Sequence, residues 1–283
     1  MKARVRPARD ADKAPLMSFI KDVWRGHDYI PKVWDDWIRD KKGRMFVVEV
    51  EGVPVGMNRV RYLEDGSAWF EGARVHPEFR GRGLASLLGE NSMKVARRRG
   101  VRTFRLTSGS RNRAAHRQIS RMKFRPLARW SVYEPPRRSS PSPSSEGRPV
   151  GEAEFEEVLG LIRKSREFRL GGGVFWHDFT AAALAPGVLR TLIRDGEVWR
   201  CGAAVAVKRE GGEGSERWER VCFLGGPVSD ATKLARSLVG RRTRAAERWV
   251  FLPQKSPLIH AIRGLGYERN FAMILFERRA VKG

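Results

Sequence analysis

The sequence has little of several features that would assign it to common protein classes. It contains two cysteines, Cys201 and Cys222, which fit no metal-binding spacing and cannot form a disulfide framework. No apolar run reaches the roughly 18 residues of a membrane-spanning helix, and the opening residues MKARVRPARDADK lack the apolar stretch of a secretory signal. We therefore expect a cytoplasmic protein in a reducing compartment, with no membrane segment and no metal.

Acidic residues are also scarce. The 283 residues include 32 Asp and Glu against 56 Lys and Arg, which gives a formal net charge of +24. Residues 1–134 carry 30 of the basic residues and 15 of the acidic ones. Such a charge favours anionic partners such as nucleic acid, anionic lipid or a phosphorylated small molecule. An arginine-rich, solvated surface explains the same number, so charge alone does not name the partner.

The apolar content, 41% hydrophobic with 10% aromatic residues, is enough for folded domains with real cores. Residues 135–150 are dense in proline and serine and have almost nothing to bury, which predicts a linker. The sequence thus predicts a first domain over residues 1–134 and a second over 151–283.

Hydrophobic spacing predicts alternating helices and strands in both halves. In the first half we expect helices over 11–25, 33–39, 83–99 and 112–121, and strands over 44–50, 53–62, 67–75, 101–107 and 124–134. In the second half we expect helices over 155–168, 232–239 and 257–263, and strands over 188–194, 197–207, 218–224, 247–252 and 271–277. The similar order suggests a duplication, with each half a mixed sheet flanked by helices, of the α/β or α+β class.

A glycine-rich turn separates the strand over 67–75 from the helix over 83–99. Gly81 and Gly83 allow a tight bend and expose consecutive backbone N–H groups at the start of this helix. A helix N-terminus carries about half a positive charge, so these donors form a cradle for a diphosphate. The turn contains neither G-x-G-x-x-G nor G-K-[ST], which excludes the two commonest nucleotide-binding loops.

The R-x-x-G-x-A pattern of Arg80, Gly83 and Ala85, preceded by Val75-His76-Pro77, resembles the coenzyme A loop of the GCN5-related N-acetyltransferase (GNAT) superfamily. The resemblance implies tandem GNAT-like domains, each with a mostly antiparallel sheet, and direct transfer of acetyl from acetyl-CoA to a primary amine. The cofactor-binding residues that it implies are Ala73, Arg74, Val75, Arg80, Gly81, Arg82, Gly83, Leu84, Ala85 and Asn112.

The next part of the chain departs from the family pattern. Asn112 and Ala115 are similar to the family's N-x-x-A motif, in which the asparagine contacts the pantetheine arm; a helix cap is the alternative role of Asn112. The tyrosine that acts as the general acid in the family is replaced here by Ile119, and the family's usual glycine is replaced by Lys123. The resemblance therefore leaves the general acid unassigned.

Glu71 is the only carboxylate on the strand over 67–75 and is the candidate catalytic base, directly or through water. A cross-strand partner of Arg59 or Arg61 is the alternative role. Strict alternation along this strand predicts Trp69, Glu71, Ala73 and Val75 on one face and Phe70, Gly72 and Arg74 on the other.

The substrate side is indicated by aromatic residues between the first two helices. The segment His27-Asp28-Tyr29-Ile30-Pro31 with Trp37 and Glu71 looks like the histidine N-acetyltransferase-type branch, which would imply a free amino acid or similar small amine as acceptor. Tyr29 and Trp34 could wall this pocket, and packing of a helix onto the sheet is the alternative.

The matching loop of the second half, residues 224–230, contains Pro227 and lacks the R-x-x-G-x-A pattern. We therefore predict an active first domain and a degenerate second domain that binds no coenzyme A. A protein N-terminal or lysine acetyltransferase and a non-catalytic nucleic-acid-binding module stay open as alternatives, and the sequence does not give the oligomeric state.

Overall fold

Helices and strands alternate along the first half of the chain. The computed structural model describes residues 2–26, 28–136, 146–177, 179–212, 217–239, 245 and 247–280. The strands of this half are β1 (Ala3–Pro7), β2 (Gly43–Val50), β3 (Val53–Tyr62), β4 (Ala68–Val75), β5 (Thr103–Gly109) and β6 (Arg125–Glu134). The helices are α1 (Lys13–Ile20), α2 (Ile30–Arg39), α3 (Leu84–Arg98) and α4 (Arg113–Arg121). The elements predicted here are confirmed within a few residues, and β1 is an addition.

The second half contains more elements than predicted. Its strands are β7 (Arg148–Pro149), β8 (Val174–His177), β9 (Thr180–Ala183), β10 (Val198–Cys201), β11 (Ala204–Gly211), β12 (Trp218–Gly225), β13 (Glu247–Pro253) and β14 (Glu268–Arg279). Its helices are α5 (Phe155–Lys164), α6 (Arg166–Leu170), α7 (Pro186–Arg194), α8 (Val228–Val239) and α9 (Leu258–Gly264). The single helix predicted over 155–168 is divided at Ser165, whose hydroxyl caps α6 by accepting the N–H of Phe168 at 3.1 Å.

The strand predicted over 188–194 is wrong, because this segment is helix α7. Leu189, Leu192 and Ile193 are buried on one face of this helix. In the sequence they form a short apolar run, and the periodicity of such a run fits a strand as well as a helix. Pro186 stands in the first turn, where its missing N–H costs nothing and its fixed φ suits a helix. That proline is the signal that favoured a helix.

Unit 1 consists of Met1–Ser108, Asn112–Arg125 and Phe276–Gly283. Its strands lie in the order β1-β2-β3-β4-β5-β14; the pairs β1–β2, β2–β3 and β3–β4 are antiparallel, and β4–β5 is parallel. On one face of β3, Met57 packs into a core with Leu16 and Ile20 of α1 and with Trp34 of α2. On the other face, Asn58 donates a hydrogen bond to Ser92 of α3 at 2.9 Å.

Unit 2 consists of Gly109–Arg111 and Pro126–Leu275. Its strands lie in the order β14-β6-β13-β12-β11-β10-β7, and β12–β13 is its parallel pair. A separate hairpin is formed by β8 and β9. Its core includes Leu234 and Leu238 of α8, Leu252 of β13 and Ile262 of α9. The fold class predicted from the sequence, a mixed and mostly antiparallel sheet flanked by helices in each half, is confirmed.

Both units repeat one run of elements: a hairpin, a third antiparallel strand, a helix and a parallel strand. In unit 1 this run is β2 to β5 with α3, and in unit 2 it is β10 to β13 with α8. The last strand of each half crosses the division between units: residues 126–134 of β6 belong to unit 2, and β14 is divided between unit 2 (268–275) and unit 1 (276–279). The compact units therefore differ from the predicted ranges of 1–134 and 151–283, because no local pattern encodes which distant edge a strand joins. Of the predicted linker over 135–150, residues 137–145 lie outside the described residues.

Candidate active site

The loop between β4 and α3 has the open form that its glycines predict. Gly81 and Gly83 both have positive φ, +78° and +79°, and a Cβ atom at either would meet no atom within 4 Å. Gly83 is the N-cap of α3, and among the described residues no side chain caps this helix. Among the described residues, nothing lies within 4 Å of these Cβ positions at the mouth of the helix.

Several backbone N–H groups at this mouth are available to a ligand. The N–H of Leu87 makes the first helical hydrogen bond, to the carbonyl of Gly83 at 3.0 Å. Within the described residues, the N–H groups of Gly83, Leu84 and Ala85 have no protein acceptor, as expected for the first turn of a helix. Donors that converge at a helix N-terminus, together with the helix dipole, favour a phosphate group.

The two arginines of the loop contact the protein itself. Arg80 donates from Nε to the carbonyl of Val75 at 3.2 Å, and the guanidinium of Arg82 lies 5.2 Å from the ring of Phe79. Both side chains are exposed. They stabilise the loop and also keep positive charge next to the open amides.

A β-bulge at Gly72 shapes the strand that leads into this loop. Arg59 of β3 pairs with Glu71, and the register then shifts so that Met57 pairs with Arg74. Gly72 has φ of +66°, and a Cβ there would lie 2.6 Å from the ring of Trp37, so glycine is required. Because the bulge inserts one residue, the faces of the strand exchange after it.

The bulge corrects the strand faces predicted from strict alternation. Arg74 lies on the face of Glu71 and not on that of Phe70, since Arg74 and Glu71 pair with Met57 and Arg59, which share one face of β3. Val75 correspondingly lies on the face of Phe70. Alternation fails here because a bulge adds a residue without a partner, and an isolated glycine in a strand was its signal in the sequence.

The strands β4 and β5 pair only over part of their length. Their parallel register joins Ala68, Trp69 and Phe70 to residues 104–106 and includes no residue of β4 after Phe70. Beyond this point Ala73 is exposed, and Arg74 and Val75 are partly exposed. The segment 73–75 therefore presents a strand edge that leads directly to the open loop.

A buried arginine holds two carboxylates beside the bulge. Arg59, with 4% of its side chain exposed, forms ion pairs with both Glu71 and Asp40. Its guanidinium also lies 4.7 Å from the ring of Trp37. The cross-strand pairing considered for Glu71 is thus present, and 16% of the Glu71 side chain stays exposed.

A second buried ion pair joins the segment before α2 to β4. Arg74 donates to both oxygens of Asp28, at 2.6 Å and 3.1 Å, and the Asp28 side chain is wholly buried. Asp28 also accepts the N–H of Ile30 at 3.0 Å, which fixes the start of α2. The pair therefore ties the first residues of α2 to the strand that carries Glu71.

Tyr29 lies beside Trp37 and Arg74, next to this part of β4. Its ring contacts Trp37 edge to face, with centroids 5.8 Å apart, and lies 5.6 Å from the guanidinium of Arg74. Burial raises the pKa of the Tyr29 phenol; Arg74 opposes this rise, while the carboxylates of Glu71 and Asp28 add to it. The phenol is therefore protonated at neutral pH, and it accepts the N–H of Gly72.

The structure gives Trp34 the packing role that was its alternative. Its side chain is fully buried in the core between α1, α2 and the sheet. Trp37, one turn further along α2, contacts Gly72, Arg59 and Tyr29 instead. Asp40 is an addition to the predicted site, since its ion pair with Arg59 joins residues 19 positions apart and depends on the tertiary structure.

Asn112 occupies the N-cap of α4, where its Oδ1 accepts the N–H of Ala115 at 3.0 Å. This is the capping role foreseen for it, and its side chain is exposed. Ile119 is buried on the inner face of α4. Lys123 has φ of +60°, which explains why a glycine suits this position.

The equivalent loop of unit 2 is filled by the protein itself. A Cβ on Gly226 would lie 2.6 Å from the Cα of Ala204, and Pro227 supplies no N–H. The N–H of Gly226 donates to the carboxylate of Glu167 at 3.4 Å, and Glu167 also accepts the hydroxyl of Ser256 at 2.9 Å. Glu167 is 1% exposed, so an internal carboxylate stands at the start of this loop.

Comparison with known proteins shows what the first half of the chain is similar to. Residues 13–124 match the Acetyltransferase (GNAT) family. The histidine N-acetyltransferase of Xenopus tropicalis is 30% identical over 103 residues, which are 35% of this chain and 32% of that protein. The probable N-acetyltransferase 16 of Homo sapiens is 25% identical over 276 residues, which are 87% of this chain and 73% of that protein. The chain spans about a third of the histidine N-acetyltransferase that it matches.

Solved structures show that the whole chain has a known fold. A GCN5-related N-acetyltransferase from Sphaerobacter thermophilus covers 99% of this chain and 96% of its own, with a TM-score of 0.62 and 15% identity. A tandem GNAT protein from the clavulanic acid biosynthesis pathway covers 100% of both chains, with a TM-score of 0.56 and 13% identity. The tandem GNAT organisation predicted from the sequence is therefore confirmed as a fold.

Two kinds of feature are absent from the residues that the structure describes. No helix there is long and apolar enough to cross a membrane. No group of three or more His, Cys, Asp or Glu side chains is placed there to hold a metal ion.

Proposed function

We propose that this protein is an N-acetyltransferase that transfers the acetyl group of acetyl-CoA directly to a primary amine in unit 1. The observation that carries the proposal is the open loop at Gly81 and Gly83, where a Cβ meets nothing and the N–H groups of the first turn of α3 have no acceptor among the described residues. The family match over residues 13–124 and the names of the relatives support it.

The residues of this loop fit acetyl-CoA as a substrate. The amides from Gly81 to Ala85 would hold its diphosphate, and Arg80 and Arg82 would add positive charge. The pantetheine arm, which carries amide groups, would lie along the exposed edge from Ala73 to Val75, where β4 has no register with β5. Acetyl-CoA brings an activated thioester, and N–H groups near Val75 would polarise its carbonyl. Asn112 would contact the pantetheine arm while its Oδ1 keeps the capping hydrogen bond from Ala115.

On the acceptor side, the chain must remove a proton from the amine. Amines with a pKa of about 8 to 10 are mostly protonated at neutral pH, and only the neutral form attacks a thioester. We propose Glu71 for this task, directly or through a water molecule, since its partly exposed carboxylate stands beside the bulge. Arg59 would then act as a positioning residue that fixes the carboxylate.

The proposed acceptor is a small amine, such as a free amino acid. The histidine N-acetyltransferase names of three relatives support this choice. The aromatic pair of Tyr29 and Trp37 beside Glu71 is the part of unit 1 that would contact such an amine. Unit 2 is proposed not to bind acetyl-CoA. In its loop, Ala204 lies close against Gly226, and the N–H of Gly226 already donates to Glu167. The cytoplasmic location stays a prediction, which the two buried free cysteines suit.

The test combines calorimetry with an acceptor screen. Titration with acetyl-CoA is expected to give one site per chain, and free amino acids, polyamines and aminoglycosides are then screened for acetyl-CoA-dependent thiol release. An unmeasurable affinity for acetyl-CoA would contradict the proposal. Two sites per chain would contradict the closed loop of unit 2.

The role of Glu71 is tested with a matched variant. Both Glu71→Gln and Asp40→Asn remove one carboxylate from Arg59. A general base contributes about 10²- to 10⁴-fold in rate, so Glu71→Gln is expected to lower kcat/KM by that factor at neutral pH. The variant is also expected to lose the fall in kcat/KM at low pH that protonation of the base causes. Asp40→Asn is expected to keep the pH profile. Equal losses in both variants would show that Glu71 only pairs with Arg59.

A further inference from the structure

Helix α4 carries a row of three exposed arginines that the proposed transfer does not use. Arg113, Arg117 and Arg121 are four residues apart, so they follow one another along one side of the helix. The rise of 1.5 Å per residue places neighbouring members about 6 Å apart along the axis. We call Arg113, Arg117 and Arg121 the arginine row.

The arginine row destabilises helix α4. The sequence of α4, RAAHRQISR, has no acidic residue, and the described residues include no ion pair to any member of the row. Like charges four residues apart destabilise a helix by about 0.2–0.5 kcal/mol per pair. Arg113 also stands in the first turn, where the helix dipole disfavours a cation. Arg121, in the last turn, is favoured by the helix dipole, but the repulsion along the row is not offset by an acidic partner among the described residues, which indicates an anion outside the protein.

The chemistry of the row favours phosphodiesters over a lipid surface. One guanidinium group can donate two parallel hydrogen bonds to the oxygens of a phosphate. A regular row of such groups matches a polymer of phosphates better than it matches a single small anion. Insertion into a lipid surface needs exposed apolar side chains beside the charges. Among the described residues, the large hydrophobic side chains that are exposed are Tyr29, Val53, Leu87 and Val228, and none lies on α4.

We propose that the arginine row binds the phosphate backbone of a nucleic acid. The contact is made to phosphates, so it is independent of base sequence. It is a second function of unit 1, beyond acetyl transfer, and it agrees with the net charge of +24. Its position on the helix that begins at Asn112 would keep a bound nucleic acid near the proposed acetyl-CoA site.

Binding is measured by fluorescence anisotropy with a labelled oligouridylate of about 12 nucleotides and with a DNA duplex of equal length. Three phosphate contacts to a single strand give a slope near −2 in log affinity against log salt, or about a twentyfold loss between roughly 50 and 200 mM salt. The variant R113Q/R117Q/R121Q is expected to lose this part of the slope. The matched control R4Q/R39Q/R98Q removes three exposed arginines from three other elements and is expected to retain it.

Thermal unfolding of both variants checks that they are folded; relief of repulsion in α4 is expected to leave the first variant as stable as the wild type. Equal slopes for the row variant and the wild type would overturn the proposal. So would equal losses in the control, which would show diffuse attraction, or displacement of the oligouridylate by saturating acetyl-CoA, which would assign the row to the acetyl-CoA site. An intact acetyl-CoA affinity in the row variant separates this inference from the proposed transferase activity.

Discussion

Replacing Gly83 by glutamate is the sharpest test of the open loop, because the same helix contains a matched control. Gly83 and Gly100 lie at opposite ends of α3 with φ of +79° and +82°, and a Cβ at either meets nothing within 4 Å. A non-glycine residue in this conformation costs roughly 1–2 kcal/mol, of which the lower chain entropy of the substituted residue returns about 0.5–1. We therefore expect the backbone conformation to lower the free energy of unfolding of both Gly83→Glu and Gly100→Glu by about 1 kcal/mol. The helix dipole reduces this loss at Gly83 and increases it at Gly100, by about 0.3–1 kcal/mol each.

Their effects on acetyl-CoA binding should differ. A glutamate at Gly83 would lie within about 4 Å of a bound phosphate, and two like charges at this distance repel by roughly 1 kcal/mol in water and 4 kcal/mol near a protein surface. This range corresponds to about a fivefold to thousandfold increase in Kd. Gly100→Glu is expected to leave Kd within about threefold, since 1.4 kcal/mol is a factor of ten. Calorimetry with acetyl-CoA measures both, and equal Kd values for the two variants would refute the diphosphate cradle.

Three further outcomes follow from single residues. Lys123→Gly removes a side chain from a left-handed position and is expected to raise the free energy of unfolding in urea by about 0.5–1 kcal/mol at an unchanged m-value; a loss would contradict this. Gly226→Ala in unit 2 would place Cβ 2.6 Å from Ala204, so it should destabilise the protein without changing the Kd for acetyl-CoA, and a weaker Kd would implicate unit 2 in binding. The carboxylate of Asp12 is buried, which by itself raises its pKa, yet the hydrogen bonds from Arg6 at 2.7 Å and from the N–H of Arg9 bring it below the usual value. Its stabilising effect is therefore present above the unfolded pKa of about 4 and lost as the pH falls through the lower folded value. Urea titrations at several pH values should show this loss in the wild type and a flatter profile in Asp12→Asn.

The candidate site divides into parts that local sequence encodes and parts that it does not. A glycine-rich turn between a strand and an amphipathic helix predicts the start of α3 directly, because both the turn and the helix depend on neighbouring residues. Asn112 as a cap is local in the same way. The pairs Arg59–Glu71 and Asp28–Arg74 join residues 12 and 46 positions apart, so they depend on strand register and on the docking of α2.

Two errors have the same origin. Alternation along β4 failed at Gly72, because a bulge is decided by the partner strand and by the ring of Trp37 against the glycine. Trp34 and Trp37 are three residues apart on α2, and only docking of the helix decides that the first is buried in the core and the second reaches the site. The strand predicted over 188–194 failed for a different reason, since a short apolar run fits either periodicity.

By itself, the sequence determined the duplicated order of helices and strands, the glycine-rich loop before α3 and its likeness to a coenzyme A loop, and the basic charge. These are properties of adjacent residues, whose backbone preferences and spacing act over a few positions. Only the tertiary structure decided that β14 ends in unit 1, that Arg59 pairs with Glu71, and that Glu167 accepts the N–H of Gly226 in the loop of unit 2. Each of these contacts joins residues far apart in the chain, and the burial of distant side chains against one another selects it.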